Sequence, residues 1–217
     1  MITIRYIALI VCLFICKMGF CQHEVSFEQY HFVGSGQPYT YMPVMHYRNT
    51  KNWYAEARYN YEDLQTFSLF LGKAFKGDQA LTWSLVPLVG GSVGRFNGLS
   101  TGLNIDLEYD KFYFSAQSQY SVSTSVYKNQ FLYSWSEVGY QSLRWLYAGV
   151  SLQHTADRIE GNILDPGVLI GFTFNKVTIP VYSFVPFNKE RYFIVGLNIE
   201  LNHKKPSAKN YPVVKAE

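Results

Sequence analysis

The stretch "GLSTGLNIDLEYDKFYFSAQSQYS", residues 98–121, constrains the fold of this chain more than any other. Leu99, Thr101, Leu103, Ile105, Leu107 and Tyr109 alternate there with Ser100, Gly102, Asn104, Asp106 and Glu108. The alternation then resumes, with Phe112, Phe114, Ala116 and Tyr120 set against Ser115, Gln117, Gln119 and Ser121. Side chains on a strand point to opposite faces with a period of two, so the stretch reads as two strands, each with one apolar and one polar face. The apolar face must be hidden, either in a protein core or in lipid.

The same pattern recurs along the chain. Glu24–Val33, Tyr39–Tyr47, Trp53–Tyr61, Leu64–Phe75, Leu81–Val89, Phe131–Tyr140, Arg144–His154, Gly167–Asn175, Lys176–Pro186 and Glu190–Leu201 all read as strands. Pro38 and Pro43 weaken the pattern in the first two hairpin arms, since proline belongs at edges and irregular starts. No long amphipathic helix and no period of 20–50 residues appears. The connections carry a second signal. "YDK", "YQSLR" and "NK" are short and "KGDQ" is compact, whereas "GGSVGRFNG" (90–98), "SVSTSVYKNQ" (121–130) and "TADRIEGNILDP" (155–166) are long. Short and long connections that alternate are a property of outer-membrane barrels, and strands of about 9–11 residues suit a tilted bilayer crossing. The expectation is an all-β, antiparallel up-and-down transmembrane β-barrel. Twelve strands are favoured, and ten is the alternative, with residues 22–50 as a periplasmic or plugging segment.

Alternation alone does not say which face is wet. Gly and Ser on the polar stripe (Gly102, Ser115, Ser121, Gly149, Ser151) suit a crowded or hydrated interior better than a Lys- and Glu-rich surface. Charged residues make up 16% of the chain, low for a soluble exterior. Trp53, Tyr59, Tyr61, Tyr109, Phe112, Tyr140 and Trp145 gather near strand ends, where an interfacial girdle lies. The apolar stripe is therefore expected to meet lipid and the polar stripe the lumen.

The chain opens with Arg5, an apolar run from Tyr6 to Cys16 and "KMGFC", the layout of a secretory signal peptide over residues 1–21. Phe20 is too bulky for a lipobox before Cys21. The barrel is expected over residues 22–202, and residues 203–217, which lose the alternation, as a flexible periplasmic tail. All three cysteines (Cys12, Cys16, Cys21) lie in the signal segment, which excludes a disulfide scaffold and a thiolate zinc site in the mature chain. Without Arg5 and Lys17 the 19 basic residues come nearly level with the 16 acidic ones. That balance gives no basis for nucleic-acid binding. The expected partners are outer-membrane lipids, the outer-membrane assembly machinery and small solutes; the sequence leaves the oligomeric state open.

Polar residues at inward positions are the candidates for function: Glu56, Arg58, Asn60, Glu62, Lys73, Asn104, Asp106, Glu108, Gln117, Gln119 and Arg144. They either line a charged constriction that selects solutes or form interior ion pairs that fill a narrow barrel. No metal-ligand spacing and no nucleophile elbow is present, so no metal, cofactor or catalytic residue is expected. Ser151 and His154 differ by an odd number of positions and point to opposite faces of a regular strand. Three function classes follow: a passive pore or small-solute transporter first, a structural or surface-interaction barrel with a filled lumen second, and a membrane-embedded hydrolase last.

"NWYAEARYNYED" (52–63), "SLFLGKAF" (68–75) and "YSWSEVGYQSLRWLYAGVSLQ" (133–153) resemble small outer-membrane β-barrel proteins of the Bacteroidetes type, and the "FCQ" signal ending is similar to exports of that group. "GLNIEL" (196–201) resembles the Gly-x-x-apolar-x-apolar pattern that assembly machinery reads in a last strand, without its terminal aromatic. The resemblance implies fold and location, and brings no activity with it.

Overall fold

The computed structural model describes residues 23–34, 38–124, 130–157 and 161–201. The expected signal segment and the whole of the expected tail lie outside them. The described strands are β1 (Glu24–Gly34), β2 (Thr40–Arg48), β3 (Trp53–Tyr59), β4 (Phe67–Lys73), β5 (Phe75–Asp78), β6 (Thr82–Val93) and β7 (Gly98–Tyr109). They continue with β8 (Phe112–Ser123), β9 (Gln130–Leu143), β10 (Leu146–Asp157), β11 (Gly161–Phe174), β12 (Val177–Phe184) and β13 (Tyr192–Glu200). Successive strands pair antiparallel except β4 and β5, which both pair with β6, and β1 pairs with β13, so the sheet closes on itself. A closed sheet has no open edge to protect.

β4 and β5 are halves of one stave, which gives a barrel of twelve. Gly72 faces Leu88 and Phe75 faces Leu85, so the register is continuous across the break. The interruption at Ala74 falls opposite Val86 and Pro87, and proline has no N–H to give to the ladder. On the other side the Ala74 N–H continues the β3 ladder, donating to the Asn52 carbonyl at 2.9 Å.

The two faces are inverted relative to a soluble protein. Leu99 is 66% exposed and Val89 65%, whereas Ser100 and Asn104 on the other stripe are buried. Trp53, Tyr109, Phe112, Tyr140 and Trp145 are exposed at the end of the barrel where β1 begins and β13 ends, called here the chain-end mouth. Tyr61, expected in the same girdle, instead packs inside against the buried aromatic cluster.

Connections at the chain-end mouth are tight, as at 110–111 and 175–176, and those at the opposite loop mouth are longer, as at 60–66 and 185–191. The expected long loop at 155–166 is corrected. β10 and β11 stay paired up to Asp157 and Gly161, and residues 158–160 between them lie outside the described ones. β6 likewise continues to Val93 through glycines read as loop. Loss of apolar alternation marks where a strand leaves lipid, while backbone pairing continues beyond that level.

Candidate functional site

The lumen is crossed by a charged tier built on β3. The β2–β3 register sets His46 opposite Glu56 and Val44 opposite Arg58, and inward parity adds Tyr54 below them. Arg58 donates from Nε to Glu56 Oε1 and from Nη1 to Gln119 Oε1 at 2.7 Å, with Glu62 Oε1 at 3.5 Å. Its guanidinium carbon lies 4.3 Å from the Tyr61 ring centroid and 4.5 Å from that of Phe70. Two π faces and three acceptors suit a planar cation with five donors. Glu56 receives the Tyr54 hydroxyl at 2.6 Å and the Asn104 amide at 3.4 Å, and His46 Nδ1 lies 3.2 Å away. A hydroxyl relay extends the tier: Ser68 donates to Glu62 and accepts from Ser92 (2.9 Å), and Gln119 donates to Ser121 (2.8 Å), which pairs with Ser100 (2.8 Å). Glu56 is 1% exposed and Arg58 3%, a depth at which each charge needs partners of this quality.

Aromatic side chains fill the facing half of the cross-section. Trp135 packs against Tyr30, Tyr182 and Phe184, with ring centroids 5.4, 5.1 and 6.1 Å away, and its indole N–H donates to Ser151 Oγ at 2.8 Å. The rings lie along the wall because glycines make room for them. A Cβ on Gly139 would sit 2.1 Å from the Tyr113 ring, and one on Gly171 1.9 Å from that of Tyr147.

Toward the chain-end mouth the lumen widens into a cavity of about 120 Å³, whose lining includes Glu24, Glu28, His46, Arg48, Asp106 and Glu200. Glu24, with a side chain 43% exposed, pairs with Arg48 and has Lys76 Nζ at 3.9 Å. Glu28 is buried; it accepts the Tyr30 hydroxyl at 2.7 Å, and His46 Nε2 lies 3.5 Å from it.

The residues singled out from sequence separate into three groups. Glu56, Arg58, Glu62, Asn104 and Gln119 meet in the tier. Asp106 and Gln117 line the vestibule, where Asp106 accepts the Ser115 hydroxyl at 3.0 Å and Gln117 the Tyr61 hydroxyl at 3.1 Å. Glu108 follows Asp106 on the inward face of β7 and is half-buried. Glu62 reaches Arg58 by a route different from the one expected. β3 stops at Tyr59, Asn60 takes a left-handed φ of 58°, and the 60–66 connection folds back to bury the Glu62 side chain.

Three inward expectations are corrected. Asn60 is a turn residue, not a lining one: its amide donates to the Tyr41 carbonyl (2.9 Å) and its side-chain oxygen accepts the Gln65 N–H (2.7 Å). Lys73 is exposed at the end of β4, with Nζ 5.6 Å from the Trp53 ring centroid, because it shares outward parity with Leu69 and Leu71. Arg144 is exposed in the turn between β9 and β10. The sequence did not single out Glu28, His46, Arg48 or Trp135. Their inward parity was readable, but their meeting with β3 and β7 depends on register and closure. Ser151 accepts the Trp135 indole N–H on the lumen face, whereas His154 meets Asn162 Oδ1 at 2.5 Å in an exposed contact. Among the described residues no group of three or more His, Cys, Asp or Glu is placed to hold a metal.

No protein-family model and no curated protein matches the sequence. Solved structures do match. The KdgM porin superposes with a TM-score of 0.59 at 13% identity, covering 82% of this chain and 99% of that one. KdgM in complex with disordered oligogalacturonate gives 0.59 at 11% identity, covering 82% and 99%. The NanC porin gives 0.58 at 11% identity, covering 81% and 100%. At these identities the likeness is one of architecture: the chain shares the closed, antiparallel twelve-strand barrel of these porins.

Proposed function

We propose that this protein is an outer-membrane barrel, of the Bacteroidetes type that its sequence resembles, and that its lumen is a small-solute pathway held shut by the Glu56–Arg58 tier. The observation that carries this reading is the cavity on the chain-end side of the tier, whose lining includes Tyr54, His46 and Asn104, all three in contact with Glu56. The wall is complete, its inner face is polar around the tier and aromatic opposite it, and the obstruction consists of side chains rather than backbone. Side chains reorient without unfolding the barrel. The porin architecture of the structural neighbours supports the reading. The oligogalacturonate of one of them is not carried over, since carboxylates outnumber cations in this vestibule. A second reading, a structural barrel with a permanently filled lumen, is favoured by the aromatic cluster around Trp135. Planar-bilayer recording of the refolded protein separates the two. Rare, brief openings that become persistent when the tier is cut support the pathway. Silence in both forms supports the filled barrel.

Placement is tested separately. Phe187 is fully exposed in the 185–191 connection at the loop mouth, and the expected mature chain carries no cysteine of its own. Phe187→Cys is expected to react with a membrane-impermeant maleimide on intact cells, and Asn175→Cys, in the tight turn at the other mouth, only after lysis. The opposite pattern reverses the orientation. Recovery of the wild-type protein as a soluble periplasmic species removes the outer-membrane placement altogether.

A further inference from the structure

We propose that the vestibule at the chain-end mouth is a binding site for a small organic cation carrying a primary ammonium group. The solute class rests on the pathway reading above, while the site itself is read by binding alone. Four carboxylates line the cavity, from Glu24, Glu28, Asp106 and Glu200, against one guanidinium, Arg48, and one imidazole, His46. Arg48 pairs with Glu24 at the rim, where Lys76 Nζ also lies 3.9 Å from that carboxylate, and Arg48 interacts electrostatically with Asp106 and Glu200 as well, so the carboxylates stay in excess over the cations they share.

A second observation points the same way. Asn198 Oδ1, on the inward face of β13, is buried in the cavity wall with no hydrogen-bond partner among the described residues. A buried acceptor left without a donor is costly, and a ligand N–H relieves that cost. An ammonium group offers three donors and no acceptor, which matches carboxylates and an amide oxygen. The Tyr54 side chain in the same wall adds an aromatic surface for a cation. A bare metal ion fits less well, since no metal-holding group of His, Cys, Asp or Glu converges among the described residues. At about 120 Å³ the cavity holds several waters or one compact organic molecule.

The test is calorimetric titration of the refolded mature protein in detergent with 1,4-diaminobutane, and with butyrate as the anionic control, both at physiological salt. Saturable binding of the diamine and none of butyrate is the expected result. Asp106→Asn combined with Glu200→Gln is expected to weaken the diamine at least tenfold. Asn198→Leu, which fills the cavity without altering charge, is expected to do the same. Heat-modifiable gel mobility verifies that each variant is folded, and either folded variant suffices. Butyrate binding, absence of diamine binding, or wild-type affinity in a folded variant overturns the proposal. Diamine binding in a protein that never conducts removes the pathway and keeps the site. Conductance without diamine binding does the reverse.

Discussion

Arg58→Ala is expected to lower the unfolding free energy of the refolded barrel by about 3–5 kcal/mol, the usual cost of stripping one partner from a buried ion pair. The Arg58 side chain is 3% exposed and that of Glu56 1%, so water does little to screen the loss. The cost has an identifiable source. Without the guanidinium, Glu56 and Glu62 lose the cation between them, Gln119 loses its donor, and the Tyr61 and Phe70 rings border a void. Arg58→Lys is expected to recover only part of the loss. A single ammonium restores the charge but not the planar fork that reaches Glu56, Glu62 and Gln119 together. Urea titration in micelles reads the stability and bilayer recording reads the lumen. On the pathway reading the same variant conducts persistently and prefers cations, because the carboxylates left behind now face water. A wild-type unfolding midpoint in Arg58→Ala contradicts the buried tier.

Much of the barrel was legible because one physical rule governs it. In a closed wall between lipid and lumen every strand must alternate, so Leu99 against Ser100 or Val150 against Ser151 is repeated from end to end. Strand number was also readable, since the interruption at Ala74 leaves the register intact. The limits were of a different kind. At 155–166 polar residues read as loop because alternation reports contact with lipid, and β10 and β11 stay paired past it. Glu56 and Arg58 were visible as neighbours on one face, and Glu62, Asn104 and Gln119 as inward residues, but their meeting was not. His46 is brought to Glu56 by the register of the β2–β3 hairpin, and Gln119, 61 residues after Arg58, reaches it across the lumen only through closure. Tyr61 misled most. As an aromatic near a strand end it resembled a girdle residue, yet the left-handed turn at Asn60 sends it inward over the guanidinium.

Trp135→Ala is expected to cost about 3–5 kcal/mol, as other large aromatic truncations in packed interiors do, but through a void rather than a stranded charge. Trp135 sits level with the tier across the lumen: it pairs with Gln117, Gln117 pairs with Asn104, and Asn104 donates to Glu56. Removing the indole takes packing from Tyr30, Tyr182 and Phe184 and leaves Ser151 without its donor. Trp135→Phe keeps most of the ring and loses the hydrogen bond, and is expected to cost about 1 kcal/mol for the bond plus a smaller packing term. The two alanine variants therefore match in stability and differ in what they leave behind. Arg58→Ala exposes carboxylates, and any current through it prefers cations. Trp135→Ala opens the aromatic side while the Glu56–Arg58 pair stays closed, so current through it carries a weaker charge preference. Current in both, with that difference in selectivity, places the obstruction across the whole tier. Equal destabilisation with no current in either means that the remaining half seals the lumen alone, and the filled barrel is then the correct reading.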